Sequence, residues 1–165
     1  MVRGKESSAV AAKPAKSAVL DGLYDRDFAL WCDETARLIL TGDLTEIDIE
    51  HLAEEIQDMG ASQRHEVSSR LRVLLIHLLK WDQQPEMRGP SWLSTIDTQR
   101  AELDDVFDRS PSLRRTLAES VAKIYPAAVR GASLQTGLPR NAFPAKCPYT
   151  LEQILDPDFP PATRR

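Results

Sequence analysis

Cysteine is scarce in this chain, with two among 165 residues, Cys32 and Cys147. They lie far apart and form neither a C-x-x-C pair nor a zinc-ligand spacing, which removes zinc fingers and dithiol redox motifs from consideration. Counting alone leaves a single disulfide open. Two reduced thiols in a cytoplasmic protein is the reading taken, because reducing compartments keep thiols free. Long apolar runs are missing too. None approaches the roughly 18 residues that span a bilayer, so no membrane partner is expected. The first residues are rich in Ala, Ser and Lys without the apolar centre of a secretory leader. Glycine-rich phosphate loops, a serine-hydrolase elbow, alternating strand patterns and internal repeats are all lacking.

What is present is an ordinary globular composition, 42% hydrophobic and 28% charged, long enough for one domain with a hydrophobic core. The formal charge of −4 is unevenly spread. Residues 1–20 carry Arg3, Lys5, Lys13 and Lys16 against Glu6, a net of +3, so the remainder holds −7. An acidic folded part suits a phosphate backbone poorly, and nucleic acid is disfavoured as a partner. Residues 1–20 read as a disordered basic tail and residues 21–165 as a single helical domain.

Helical periodicity starts after Asp21-Gly22. Phe28, Trp31, Cys32, Thr35, Leu38 and Ile39 recur three and four apart, which puts them on one face, and Gly42 supplies a stop. A second segment repeats the pattern with Ile49, Leu52, Ala53, Ile56 and Met59, with Asp48 as N-cap and Gly60 as terminator. The third, Ser62 to Asp82, is the most apolar. Val67, Leu71, Leu74, Leu78 and Trp81 form one arc, while Val73, Leu75, Ile76 and Leu79 lie off it. A helix apolar on several sides belongs in the middle of a bundle. A fourth helix is expected from Ser91, carrying Trp92, Ile96, Leu103, Val106 and Phe107. Ser110-Pro111 opens a fifth, which Pro126 should kink or divide and Gly137 should close.

The last stretch holds prolines at 139, 144, 148, 157, 160 and 161 and must be largely irregular. Within it Thr150-Leu-Glu-Gln153 fits a capping box, predicting a short helix with Leu151, Ile154 and Leu155. Phe143, Tyr149 and Phe159 would anchor this segment. The fold class is therefore all-α: a helical bundle of about five main helices with a Pro-rich C-terminal segment carrying one short helix.

The order of features becomes specific by Trp81. Leu52-Ala-Glu-Glu-Ile-Gln-Asp-Met-Gly60, then Leu71 through His77-Leu-Leu-Lys80-Trp81, then Gln84-Pro85, resembles the bacterial domain-of-unknown-function family twenty-nine. Tyr24 and Asp27-Phe-Ala-Leu-Trp31 upstream fit the same pattern, as do Ser91-Trp92, Ile96 and Gln99-Arg100 downstream. Thr136-Gly-Leu-Pro139, Phe143-Pro144, Cys147 through Asp156, and Phe159 complete it. The resemblance covers residues 22–160 and departs from the family at Pro126. It implies a compact all-helical fold and no activity, since the family brings no catalytic residues to transfer.

One stripe interrupts the third segment's apolarity. Glu66, Arg70, Val73, His77 and Lys80 share an edge, and four of the five are ionisable. Such groups need partners, water or a cleft mouth. Glu55, with His51 one turn away, is the expected partner: a tight turn at Gly60-Ala61 would bring it level with Arg70 as an ion pair. Glu55, Glu66, Arg70, His77 and Lys80 are thus the candidate polar cleft. The stripe either stabilises a helix hairpin or lines a catalytic or ligand site, with His77 and Lys80 as base and electrophile. His51 with Glu54 or Glu55 has helix-compatible metal-ligand spacing, but no Glu-x-x-His pair occurs, and no metal or cofactor is expected. Trp31, Trp81 and Trp92 read as core anchors, the last two packing together across one loop.

Two function classes follow. A non-enzymatic protein–protein interaction or regulatory module, binding another protein or itself, ranks first. A small enzyme or a ligand- or metal-binding protein using the polar cleft is the alternative.

Overall fold

A computed structural model describes Leu20 and residues 22–160. The tail read over residues 1–20 lies, apart from Leu20, outside the described residues. Those described form seven α-helices joined by turns and irregular chain, and no strand occurs among them. They divide into two compact units, one ending at Met59 and the other starting at Gly60.

The first unit contains α1 (Leu23–Arg26), α2 (Phe28–Thr41), a 3-10 turn (Leu44–Glu46) and the opening turns of α3 (Ile49–Gln83). Helix α2 starts where the Asp27 carboxylate accepts the Leu30 N–H at 3.0 Å. It ends at Gly42, whose φ of 83° places it in the left-handed region. There the Gly42 and Asp43 amides cover the Ile39 and Leu38 carbonyls. The same spacing buries Trp31, Thr35 and Leu38 on one face. Trp31 and Leu38 pack with Leu20 and Ile47, edged by Leu23, Tyr24 and Leu52.

The second unit is built around the remainder of α3, with α4 (Pro90–Arg109), α5 (Pro111–Arg115), α6 (Leu117–Thr136) and α7 (Leu151–Leu155). Leu71, Leu74 and Leu75 are fully buried, and Val67, Leu78, Leu79 and Trp81 nearly so. The valine and leucines join Ile96, Leu103 and Phe107 of α4, and Leu117, Val121 and Ala128 of α6, in one core. Full burial of each such leucine contributes about 1.5–3 kcal/mol. The several-sided apolarity of this segment thus corresponds to burial at the centre of the unit.

Two boundaries differ from the sequence reading. No hairpin forms at Gly60-Ala61, and the second and third segments are one 35-residue helix. A glycine stops a helix by turning into the left-handed region, and among the described residues only Gly22, Gly42 and Gly137 have positive φ. In helical conformation Gly60 costs about 1 kcal/mol, which its helix-forming flanks outweigh. The fifth segment divides at Thr116, not at Pro126, and α6 runs through the proline. Buried Ile124, Tyr125 and Ala128 hold both sides of Pro126 in the core. Four long helices result.

The C-terminal segment follows its local chemistry. Thr150 and Gln153 form the capping box, with side chain–backbone bonds of 3.0 and 3.2 Å. Ile154 is fully buried and Phe143 nearly so, and Tyr149 meets Phe159 edge to face.

Burial predicts a contrast within this unit. Leu74→Ala, at a fully buried site, should lower unfolding free energy by about 2–5 kcal/mol in urea titration. Leu134→Ala, at a site 85% exposed, should change it by less than about 0.5 kcal/mol.

Candidate functional site

Continuity of α3 decides how the sequence-predicted residues are distributed. Glu55 belongs to the first unit and Glu66, Arg70, His77 and Lys80 to the second. Glu55 and Arg70 lie along one helix, with no turn to fold one onto the other. The expected ion pair between them is replaced by other partners. Arg70 reaches Glu66 at 3.4 Å and Glu102 of α4 at 3.1 Å. Both contacts are partly exposed, so this network fixes α3 against α4 with modest energy.

Glu55 instead accepts the Tyr24 hydroxyl at 2.5 Å. That bond, with burial and the nearby acidic charges behind it, pushes the Tyr24 phenol up to about 12. The Tyr24 ring stacks on His51 with centroids 4.0 Å apart and meets Trp31 edge on. His51 Nδ1 in turn lies 2.8 Å from the buried Asp48 carboxylate. The Asp48 carboxylate also accepts the His51 N–H, at 3.5 Å, the position expected of a helix cap. Carboxylate, imidazole and phenol therefore form one connected set within the first unit. Its members come from α1, from α3 and from Asp48 just before it, and only the spacing of Asp48, His51 and Glu55 hinted at it.

His77 and Lys80 sit where α3 is most enclosed. The His77 Nδ1–H donates to the Val73 carbonyl at 2.9 Å. Burial pushes the imidazole below its ordinary value, the Val73 bond opposes that shift, and the Lys80 charge adds to it. Lys80 is buried, donates to Gln135 Oε1 at 3.0 Å and lies over the Trp92 ring, 4.5 Å from its centre. No ion pair reaches it among the described residues, and burial pushes its ammonium below the usual lysine range. An aromatic face and an amide oxygen hold this charge where a carboxylate would be expected. Trp81 likewise receives Arg88, whose guanidinium lies 5.4 Å from the ring centre. Each tryptophan takes a cation, and no ring contact joins the two among the described residues.

Residues 23–160 match the family described as Domain of unknown function DUF29. The chain belongs to this family. No curated protein and no solved structure matches it. Membership of DUF29 carries no reaction, so chemistry must be argued from the side chains.

One further polar residue of this DUF29 chain escaped the sequence reading as a site. Arg100 of α4 is buried and donates through Nε to the Ile154 carbonyl at 2.8 Å and through Nη2 to Gln153 at 3.1 Å. It satisfies carbonyls of α7 and ties the C-terminal segment to the core. Tyr149 adds a second tie, donating to Asp82 at 2.7 Å. No group of three or more His, Cys, Asp or Glu side chains is placed to hold a metal among the described residues. Nor is any helix there long and apolar enough to cross a membrane.

The His77 shift has a pH consequence. Between its lowered folded value and the ordinary 6.5, the unfolded chain binds the extra proton, so stability falls as pH drops through that window. The urea midpoint of His77→Gln, followed from pH 7.5 to 5, should fall less steeply than that of the native chain. Equal slopes would remove His77 from the account.

Proposed function

We propose that the chain is a protein-interaction module whose first unit receives a basic amphipathic helix from another protein. The observation that carries this reading is where apolar surface is left open. Of the ten large hydrophobic side chains exposed among the described residues, eight lie between Phe28 and Met59. On α3 the arc Ile49, Ala53, Ile56 and Met59 has the spacing of a helix–helix seam, and Ile49, Ile56 and Met59 are each at least 60% exposed. On α2, Phe28, Cys32, Ala36 and Ile39 extend the buried face outward at the same spacing and remain exposed. Monomeric surfaces rarely leave so many large apolar groups open unless they bind something.

Charge selects the partner. Residues 22–59 hold eleven Asp and Glu against two Arg, a net of −9. A second copy would bring two such surfaces together, at a like-charge cost. A helix with lysine or arginine beside an apolar stripe matches both features, in the helix-in-groove manner. Cys32 is exposed and both thiols are free, which supports a reducing, cytoplasmic setting.

A leucine–lysine amphipathic peptide should bind the full chain saturably by fluorescence anisotropy. Its affinity should fall about tenfold or more in Ile56→Ser and Met59→Ser, each of which removes an exposed apolar contact. Equal affinity for a leucine–glutamate peptide, or a dimer in sedimentation that Ile56→Ser dissolves, would contradict the proposal.

A further inference from the structure

The second unit carries the opposite charge. Residues 60–165 hold fifteen Lys and Arg against twelve Asp and Glu, a net of +3. Part of that excess gathers at a cleft of about 400 Å³ bounded by α3, α5 and α6. Arg64, Ser68 and Arg72 follow each other at four-residue intervals and so form one stripe of α3. Ser120 and Lys123 of α6, with Thr116 just before it, supply the opposite wall. Val67, Leu113 and Ile124 contribute apolar surface between them.

We propose that this cleft binds a small organic phosphate, its phosphate on Arg64, Arg72 and Lys123 and its apolar body on Val67 and Ile124. Two observations converge. No residue lining the cleft carries a carboxylate. None of the three cations makes an ion pair among the described residues, whereas Arg70, on the same stretch of α3, is held by two glutamates. Glu66, the acidic group nearest Arg64 in sequence, is thus engaged by Arg70, and Glu119, one turn before Lys123, makes no ion pair with it.

The hydroxyls narrow the chemistry. Ser68 donates to the Arg64 carbonyl, Ser120 to the Thr116 carbonyl and Thr116 to the Leu113 carbonyl, all within 3.1 Å. Their hydrogens are committed, so the ligand's charge is met by guanidinium and ammonium groups, with the Ser69 hydroxyl and the His65 ring N–H as additional donors. Guanidinium groups match phosphate oxygens in pairs, which favours phosphate over a single carboxylate. The volume falls in the range of small-molecule sites, about 300–1,000 Å³. Inorganic phosphate would leave the apolar floor unused, and nucleic acid would need a basic strip continuing beyond the cleft.

The test is calorimetric titration of the full chain with 1-naphthyl phosphate, inorganic phosphate, 1-naphthol and a single-stranded DNA dodecamer. One-site binding of 1-naphthyl phosphate is expected, tighter than either of its halves. Arg72→Ala and Lys123→Ala, both at exposed positions, should each weaken it about tenfold or more. Arg109→Ala, outside the cleft, should leave it unchanged, with circular dichroism confirming the fold of each variant. Lack of saturable binding, tighter binding of the dodecamer, or equal losses in Arg109→Ala and Arg72→Ala would overturn the proposal.

Discussion

A helix that carries Leu71, Leu74, Leu75, Leu78 and Leu79 within about three turns, with Ile76 buried beside them, has only a narrow side, at Arg72, to give to water. Its only stable setting is among other helices, and the second unit is arranged to provide that. Ile96, Leu103 and Phe107 cover it from α4, and Leu117, Val121 and Ala128 from α6. Close packing even removes side chains from the neighbours. A Cβ on Gly131 of α6 would come within 2.5 Å of Ile76 Cδ1. The polar groups on this part of α3 are then settled by whatever each finds at hand: Glu102 for Arg70, the Val73 carbonyl for His77, and Trp92 with Gln135 for Lys80.

How far the chain could be read in advance depends on the range of the interaction concerned. Features decided within one turn were legible: the stops at Gly42 and Gly137, the capping box of Thr150 and Gln153, and proline at the start of α5. Gly60 was misread because its cost is only a local preference, about 1 kcal/mol, that neighbouring contacts can outweigh, and Pro126 does not divide α6. The partnership of Tyr24 with Glu55, the hold of Arg100 on α7 and the joining of Lys123 to Arg72 link residues distant in sequence, and no spacing rule reaches them. Periodicity also identifies which side chains share a face without saying what lies against it. Ile49, Ile56 and Met59 share their face as the spacing requires, yet that face is open.

Charge adds a second level of organisation that the overall −4 conceals. The unit ending at Met59 combines strong acidity with exposed hydrophobic groups, and the unit beginning at Gly60 is mildly basic with three of its cations lining one cleft. These are different chemical surfaces, and each narrows its ligand by excluding the other's. The first repels anions and offers area to a helix. The second offers a confined volume and positive charge to a small anion.

Both proposals require that one continuous helix have two fates, a buried core rod in its later turns and a presenting surface in its opening ones. Amide hydrogen exchange, resolved by residue along α3, measures this directly. The account predicts that residues 67–81 exchange only through global unfolding of their unit, while residues 49–59 exchange faster by at least about two orders of magnitude. Equal protection along the whole helix would contradict it, since the opening turns would then be held as firmly as the core.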